Sequence, residues 1–184
     1  MRRSVILQGA GVLALLAAIV GIFLVLNPPA GGSSSSVTLD QPVGELPVIG
    51  EPAPLFSATT LDGEEVRLAD YQGTPVWLIV NATWCTSCRA EIPDIQRIAD
   101  SERGEDIQIL SVYLGEGEEI VSEFNERLGI TYTSVPDPAN GISAAYAVPA
   151  IPVHYFIDAE GVTRSIEIGS ISHSQMEAEL DAIS

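Results

Sequence analysis

The two cysteines of the chain, Cys85 and Cys88, lie three positions apart and directly follow a tryptophan. A thiolate attacks disulfides and a thiol does not, so a redox cysteine needs an exposed sulfur and a depressed pKa. At the first turn of a helix, free N–H groups and the helix dipole favour negative charge. The two-residue spacer puts Cys88 one turn further on the same face, where it can resolve a mixed disulfide on Cys85. The motif therefore predicts thiol–disulfide exchange.

Two residues beside the cysteines each allow two interpretations. Glu91 lies three residues after Cys88 on the same side of the predicted helix. As the more deeply placed cysteine, Cys88 needs a base, and a partly buried carboxylate can accept its proton; the alternative is a surface glutamate beside Arg89. Trp84 either covers the disulfide or is a core aromatic that ends a strand.

Composition excludes several other classes of site. A structural zinc site needs four ligands, and beyond the two cysteines the chain has only His154 and His173. We therefore expect no metal and no cofactor other than the Cys85–Cys88 disulfide. The formal net charge of −17, with no lysine, argues against nucleic acid as a partner, because phosphate binding depends on Lys and Arg.

The motif follows a continuous apolar run at residues 76–80, which is typical of a strand buried on both faces. Beyond it, Ile92, Ile95 and Ile98 recur at helical spacing, and Pro93 is expected to kink that helix. The motif is thus predicted at a strand-to-helix junction. Asp62-Gly63 indicates a hairpin before it. Further strands are predicted at 107–114, 131–135, 153–157 and 162–168, and helices at 118–128, 140–146 and 174–183, the last with a capping box from Ser172 to Gln175.

The first 26 residues differ in composition from the rest. Residues 5–26 are almost wholly apolar, and about 20 such residues span a bilayer as a helix. A cleaved signal peptide is the alternative, but the run is long for one and lacks a cleavage pattern. Since Arg2 and Arg3 are the only nearby charges, residues 1–4 are expected in the cytoplasm and the rest outside. The expected organisation is a single-pass anchor at 5–26, a Pro/Gly/Ser-rich linker at 27–46 and one folded domain at 47–184.

Taken together, several segments resemble the TlpA/ResA/DsbE group of membrane-anchored thioredoxin-like proteins. The resemblance covers nearly all of residues 47–184 and joins the CxxC to a distant proline at the expected interval. Its motifs are Pro54-Leu55-Phe56, the Asp62-Gly63 hairpin, residues 68–73, residues 76–81, residues 84–93 and residues 152–161.

The resemblance implies a thioredoxin-like α/β fold: a central mixed sheet flanked by helices, with an N-terminal hairpin and the family's βα insertion. It implies that Cys85 is the nucleophile, Cys88 the resolving cysteine and Glu91 the family's acidic residue. Pro152 matches the family's cis-proline, and together with Trp84 and the backbone of Ile151 it would contact a bound peptide.

Three positions depart from the family pattern or stand out within it. Ser87 replaces the proline common before the second cysteine, and Val153 replaces the threonine after the cis-proline. His154 has two interpretations, a groove residue that titrates near neutrality or a histidine packed within a strand.

The family further implies a reductase of protein disulfides outside the cytoplasm, with apocytochrome c as a substrate and a transmembrane electron carrier as donor. Two alternatives use the same fold. A thiol peroxidase would need a Thr-x-x-Cys pattern, but Ala82 lies three residues before Cys85. A copper chaperone would hold the metal with both thiolates and His154, yet no histidine lies between Cys88 and His154.

Overall fold

A computed structural model describes residues 46–184 and the backbone of Thr38–Leu39. The predicted cytoplasmic start, the anchor at 5–26 and most of the linker lie outside the described residues. Within the described part, none of the helices combines the length and apolar character needed to cross a membrane.

A five-stranded mixed sheet organises the domain. Its strands are β4 (Val76–Asn81), β5 (Gln108–Leu114), β6 (Thr133–Asp137), β7 (Val153–Ile157) and β8 (Thr163–Ile168). They lie in the order β6-β5-β4-β7-β8. Strands β4, β5 and β6 are parallel, whereas β7 runs antiparallel to β4 and β8 antiparallel to β7. The predicted thioredoxin-like mixed sheet is confirmed.

The apolar run of β4 is explained by its central place, because both of its faces are covered. Val76, Leu78 and Val80 pack into one buried cluster, and Trp77 and Ile79 into another on the opposite face. Alternate side chains of a strand point to opposite faces, so a strand covered on both sides is mostly apolar at successive positions. Strand β4 ends at Asn81, and the chain then turns into the cysteine motif.

Helices cover both faces of the sheet. They are α1 (Thr86–Ala99), α2 (Glu102–Asp106), α3 (Glu118–Leu128), α4 (Gly141–Ala145) and α5 (His173–Ile183). Apolar residues of α1 and α5 pack on the Trp77 face, while α4 packs on the other. Pro93 lies inside α1, which continues to Ala99. The capping box that begins α5 at Ser172 is present as predicted.

A smaller antiparallel sheet holds the predicted hairpin, with strands β1 (Thr38–Leu39), β2 (Phe56–Thr59) and β3 (Glu65–Arg67). A 3₁₀ turn, Leu68–Tyr71, follows. Gly63 in the hairpin turn has a φ of +79°, which glycine adopts without strain. Strand β1 falls within the segment 27–46 that the sequence predicts as a linker.

Helix α2 and strand β6 also differ from the sequence prediction. Helix α2 was not predicted, because none of its residues is buried and it leaves no apolar pattern. Strand β6 begins two residues later than expected and continues to Asp137, a carboxylate that is fully buried. Asp137 accepts hydrogen bonds from the backbone amides of Gly141 and Ser143 and from the Ser143 hydroxyl, so it ties the strand to the start of α4.

Candidate active site

Cys85 and Cys88 are joined by a disulfide at the N-terminus of α1, directly after β4 and a short turn. Cys85 is the N-cap residue, and the backbone N–H of Cys88 donates to its Sγ at 3.1 Å. The Ser87 hydroxyl lies 3.3 Å from the same sulfur. The first turn of α1 therefore directs polar hydrogens towards Cys85 Sγ, the arrangement that favours a thiolate there.

The expectation of an exposed Cys85 sulfur is wrong for this disulfide-bonded state. Cys85 is only 6% exposed and Cys88 4% exposed. Both cysteines pack against Ala82 and Ile151, which form a small apolar cluster with them. Cys88 is the more buried of the two, as expected, but the difference is small.

The segment before β7 faces the disulfide. The peptide bond between Ile151 and Pro152 is cis, as predicted for Pro152, whereas Pro149 follows a trans bond. The Ile151 carbonyl oxygen lies 3.9 Å from Cys85 Sγ. A backbone carbonyl beside the reactive sulfur is a position from which an extended peptide can pair with the protein.

Glu91 is buried beneath Cys88 on α1, at 4% exposure, so its interpretation as a surface glutamate is wrong. Its Oε1 accepts a hydrogen bond of 2.6 Å from the backbone N–H of Ile171. A cavity of about 10 Å³ is lined by Cys88, Glu91 and Pro152, among others. A cavity of this size is at the lower limit for one water molecule. The carboxylate and the resolving cysteine thus border the same small space.

His154 is fully buried on β7 and packs beside two aromatic rings, so it is not a groove residue. Its ring centroid lies 5.9 Å from that of Trp77 and 6.4 Å from that of Phe156. Nε2 lies 3.4 Å from Glu91 Oε1, but neither ring nitrogen has a hydrogen-bond partner. The interpretation as a packed strand histidine is confirmed, with a carboxylate as an unexpected neighbour.

Trp84 is 66% exposed, so its interpretation as a core aromatic is wrong. It stands at the protein surface immediately before the disulfide. Sequence reasoning missed Glu116, a buried carboxylate that accepts hydrogen bonds from both the backbone N–H and the hydroxyl of Thr83. Thr83 and Glu116 are 33 residues apart, so no local pattern could have paired them.

Comparisons with known proteins agree with this geometry. The family model described as the AhpC/TSA family matches residues 49–166. The thiol-disulfide oxidoreductase ResA of Geobacillus kaustophilus (strain HTA426) is 34% identical over 135 residues, covering 73% of this chain and 78% of that protein. The thioredoxin-like protein YneN of Bacillus subtilis (strain 168) is 33% identical over 135 residues, covering 72% and 78%.

The chain belongs to the AhpC/TSA family. A solved structure, a thiol:disulfide interchange protein of the thioredoxin family from Chlorobium tepidum TLS, matches with a TM-score of 0.65 at 25% identity, covering 72% of this chain and 95% of that one. The predicted TlpA/ResA/DsbE-like membership, fold and enzyme class are confirmed: this member of the family is a thiol–disulfide oxidoreductase with a Cys85–Cys88 pair.

Metal binding was the alternative function considered for the two cysteines and His154. Within the described part of the chain, no three His, Cys, Asp or Glu side chains form a group suited to a metal ion. The copper alternative needed His154 beside both thiolates, but the His154 ring is fully buried and packs against Trp77 and Phe156.

Proposed function

We propose that the chain is a membrane-anchored reductase of protein disulfides outside the cytoplasm, in which Cys85 attacks the substrate and Cys88 resolves the intermediate. The observation that carries this proposal is the Cys85–Cys88 disulfide at the start of α1, with the Ile151 carbonyl beside it. The disulfide is the product state of such a reaction. The hydrogen-bond donors and side chains around the disulfide can each be assigned to one of the two steps of the reaction.

In the first step, the Cys85 thiolate attacks one sulfur of a substrate disulfide. A bond forms between Cys85 and that sulfur, the substrate disulfide breaks, and the other substrate sulfur leaves as a thiolate that takes a proton from solvent. The Cys88 backbone N–H, 3.1 Å from Cys85 Sγ, stabilises the attacking thiolate, and the Ser87 hydroxyl can donate to it as well.

In the second step, Cys88 loses its proton and attacks Cys85 Sγ. The Cys85–Cys88 disulfide forms, the bond to the substrate breaks, and the second substrate sulfur leaves and is protonated. Two electrons have then passed from the cysteine pair to the substrate. Glu91 accepts the Cys88 proton, because its buried carboxylate borders the same small cavity as Cys88.

Substrate binding is assigned to the surface around the disulfide. The Ile151 backbone pairs with an extended peptide, Pro152 packs behind it, and the exposed ring of Trp84 supplies apolar contact. Such a site recognises the backbone and shape of a peptide substrate more than the identity of its side chains. It accommodates unfolded segments of substrate proteins.

The cellular setting follows from the sequence. Residues 5–26 serve as an uncleaved anchor with residues 1–4 in the cytoplasm, which leaves the catalytic domain outside. A reductase there needs electrons from the cytoplasm, so a transmembrane electron carrier is its donor. The resemblance to the TlpA/ResA/DsbE group supports apocytochrome c as a substrate.

Trapping of the intermediate tests the proposal. In Cys88→Ser the mixed disulfide on Cys85 cannot be resolved, so the full-length variant in its native membrane should hold substrate proteins in adducts that a reductant releases. Cys85→Ser is the matched control and should hold none. The redox potential of the wild-type pair should lie nearer that of thioredoxin, at about −270 mV, than that of the oxidant DsbA, at about −120 mV.

Two results would overturn this assignment. Equal adducts in both variants would show that Cys85 is not the nucleophile, and a potential near the oxidant value would reverse the direction of the reaction. Consumption of hydrogen peroxide by the reduced protein as fast as its reaction with disulfides would instead favour the thiol peroxidase alternative.

A further inference from the structure

His154 carries two unsatisfied nitrogen atoms in the centre of the domain. A neutral imidazole has one N–H donor and one acceptor nitrogen, and neither has a partner here. A buried polar group without a hydrogen bond costs about 1–3 kcal/mol. The stacked rings of Trp77 and Phe156 account for the packing of His154, but any large apolar side chain would pack there without this cost.

Glu91 is the polar group within reach of His154. Its Oε1 lies 3.4 Å from Nε2, close enough for an ion pair but without hydrogen-bond geometry, and it already accepts the Ile171 amide. Both of these contacts are made by Oε1 of Glu91. Oε1 is therefore approached from two sides, and the Glu91 side chain lines the same cavity as Cys88.

The surroundings contain no cation that could hold Glu91 in place of His154, within the described residues. Tyr113 on β5 and Tyr132 before β6 line the same cavity. On β8, Glu167 is opposite His154 in register, which places its side chain on the same face of the sheet. The nearby residues of α5, Met176 and Leu180, are apolar.

We propose that His154 is a positioning residue for Glu91: its Nε2–H donates to Oε1 and fixes the carboxylate so that Oε2 faces the Cys88 thiol. This inference rests on the proposed role of Glu91 as proton acceptor. The contact is long in the disulfide state, where Glu91 has no thiol to deprotonate, and shortens in the reduced state, as catalytic hydrogen bonds commonly do. Because β7 starts at Val153, directly after Pro152, the same strand orients both the acceptor and the substrate contact.

The experiment uses the reduced full-length protein and the chromogenic disulfide 5,5′-dithiobis(2-nitrobenzoate), followed by stopped flow. Attack by Cys85 releases one coloured thiolate, and resolution by Cys88 releases the second. The variants are His154→Phe, which keeps an aromatic ring but no donor, and His154→Gln, which keeps an amide donor near the Nε2 position. Glu91→Gln and the double variant His154→Phe/Glu91→Gln complete a double-mutant cycle. His173→Gln, on the surface of α5, is the matched control.

We expect His154→Phe to slow the second release about tenfold or more, because a misplaced catalytic group costs that much. His154→Gln should restore the second release to within about threefold of wild type, since the Gln amide N–H replaces the imidazole N–H as the donor. Adding His154→Phe to Glu91→Gln should cause no further loss. His173→Gln should leave both releases unchanged. The rate of the first release, which depends on Cys85, shows in each variant whether the active site is still folded.

The outcomes separate this inference from the role of Glu91. If Glu91→Gln leaves the second release unchanged, the proposed proton acceptor is wrong, and the inference falls with it. If Glu91→Gln is slow and His154→Phe is not, only the inference is overturned. His154→Gln as slow as His154→Phe, or a further loss in the double variant, would likewise show that His154 does not act through a donor to Glu91.

Discussion

Thr83, two residues before Cys85, is held by a carboxylate outside the CxxC motif. Glu116 is 6% exposed and accepts the Thr83 backbone N–H at 2.8 Å and the Thr83 hydroxyl at 2.5 Å. A buried carboxylate is tolerated where such donors replace its water. The paired hydrogen bonds fix the turn between β4 and α1, and with it the position of Cys85.

Glu116→Ala should destabilise the protein by about 1–3 kcal/mol, because both Thr83 donors lose their charged acceptor. The free energy of unfolding is measured by urea denaturation of the oxidised protein. Glu123→Ala, an exposed glutamate on α3, is the control and should change it by less than about 0.5 kcal/mol. Equal losses in the two variants would refute the anchoring role of Glu116.

For individual residues, the sequence predicted the contacts within one motif and missed the contacts between residues that are distant in the chain. The spacing of Cys85, Cys88 and Glu91 is local, and all three meet as expected at the start of α1. The contact between Glu116 and Thr83 depends instead on the ends of β4 and β5 lying side by side. The exposure of Trp84 likewise depends on which parts of the fold pack near it, and the spacing of residues in the sequence does not predict that.

The hairpin of β7 and β8 is closed by one side chain. Asp158 Oδ1 accepts the backbone N–H groups of Glu160 and Val162, and Oδ2 pairs with Arg164 on β8. Burial on its own would raise the pKa of Asp158, but the Val162 amide, Arg164 and the Glu160 amide together hold the pKa below its ordinary value. The charged form of Asp158 therefore stabilises the fold.

The pH dependence of this contribution has a definite sign. A folded-state pKa below the unfolded value of about 3.9 gives stability that is complete well above that pH and is lost as the pH falls through the folded pKa. Asp158→Asn keeps one side-chain oxygen that can accept the backbone N–H groups but removes the negative charge. At pH 7 it should lower the free energy of unfolding by about 1 kcal/mol, the difference between a charged and a neutral hydrogen bond.

Urea denaturation from pH 3 to pH 7 checks this prediction. The gap between wild type and Asp158→Asn should narrow as the pH falls below about 4, since the wild-type carboxylate then becomes neutral. Asp62→Asn in the other hairpin turn is the control and should stay within about 0.5 kcal/mol of wild type throughout. A gap that is constant with pH would mean that the charge of Asp158 is not what stabilises the turn.

Elements with a buried face were the ones that the sequence predicted well. The bounds of α3 match the prediction because its apolar side chains recur at helical spacing and Gly129 ends it with a φ of +67°. Strand β7, buried at every position, was also predicted with its observed bounds. Helix α2 buries nothing and the end of β6 is set by Asp137, so neither leaves a periodic signal.

The whole molecule carries a formal net charge of −17. Such a charge produces a negative potential over the surface that attracts cations and repels anions before contact. Added salt screens this potential, since the Debye length falls to about 10 Å at 0.1 M. The rate of the first step should therefore depend on the charge of the disulfide presented to it.

We expect the reduced protein to react with the dication cystamine more slowly as ionic strength rises from about 10 to 150 mM, by a few-fold. The dianion 5,5′-dithiobis(2-nitrobenzoate) should react faster over the same range. The uncharged 2-hydroxyethyl disulfide is the control and should change little. The second-order rate constants are measured by stopped flow. The same salt dependence for all three disulfides would show that net charge does not steer the encounter.

The two tryptophans of the chain have opposite environments: Trp84 is exposed and directly precedes Cys85, whereas Trp77 is fully buried against His154 and Phe156. Excited indole can transfer an electron to a nearby disulfide, so we expect the emission from Trp84 to be weaker in the oxidised protein than in the reduced protein. Trp77 emits from an apolar site and at shorter wavelength, which makes it an internal reference. The intrinsic fluorescence of the protein should therefore report the oxidation state of the cysteine pair without an added label.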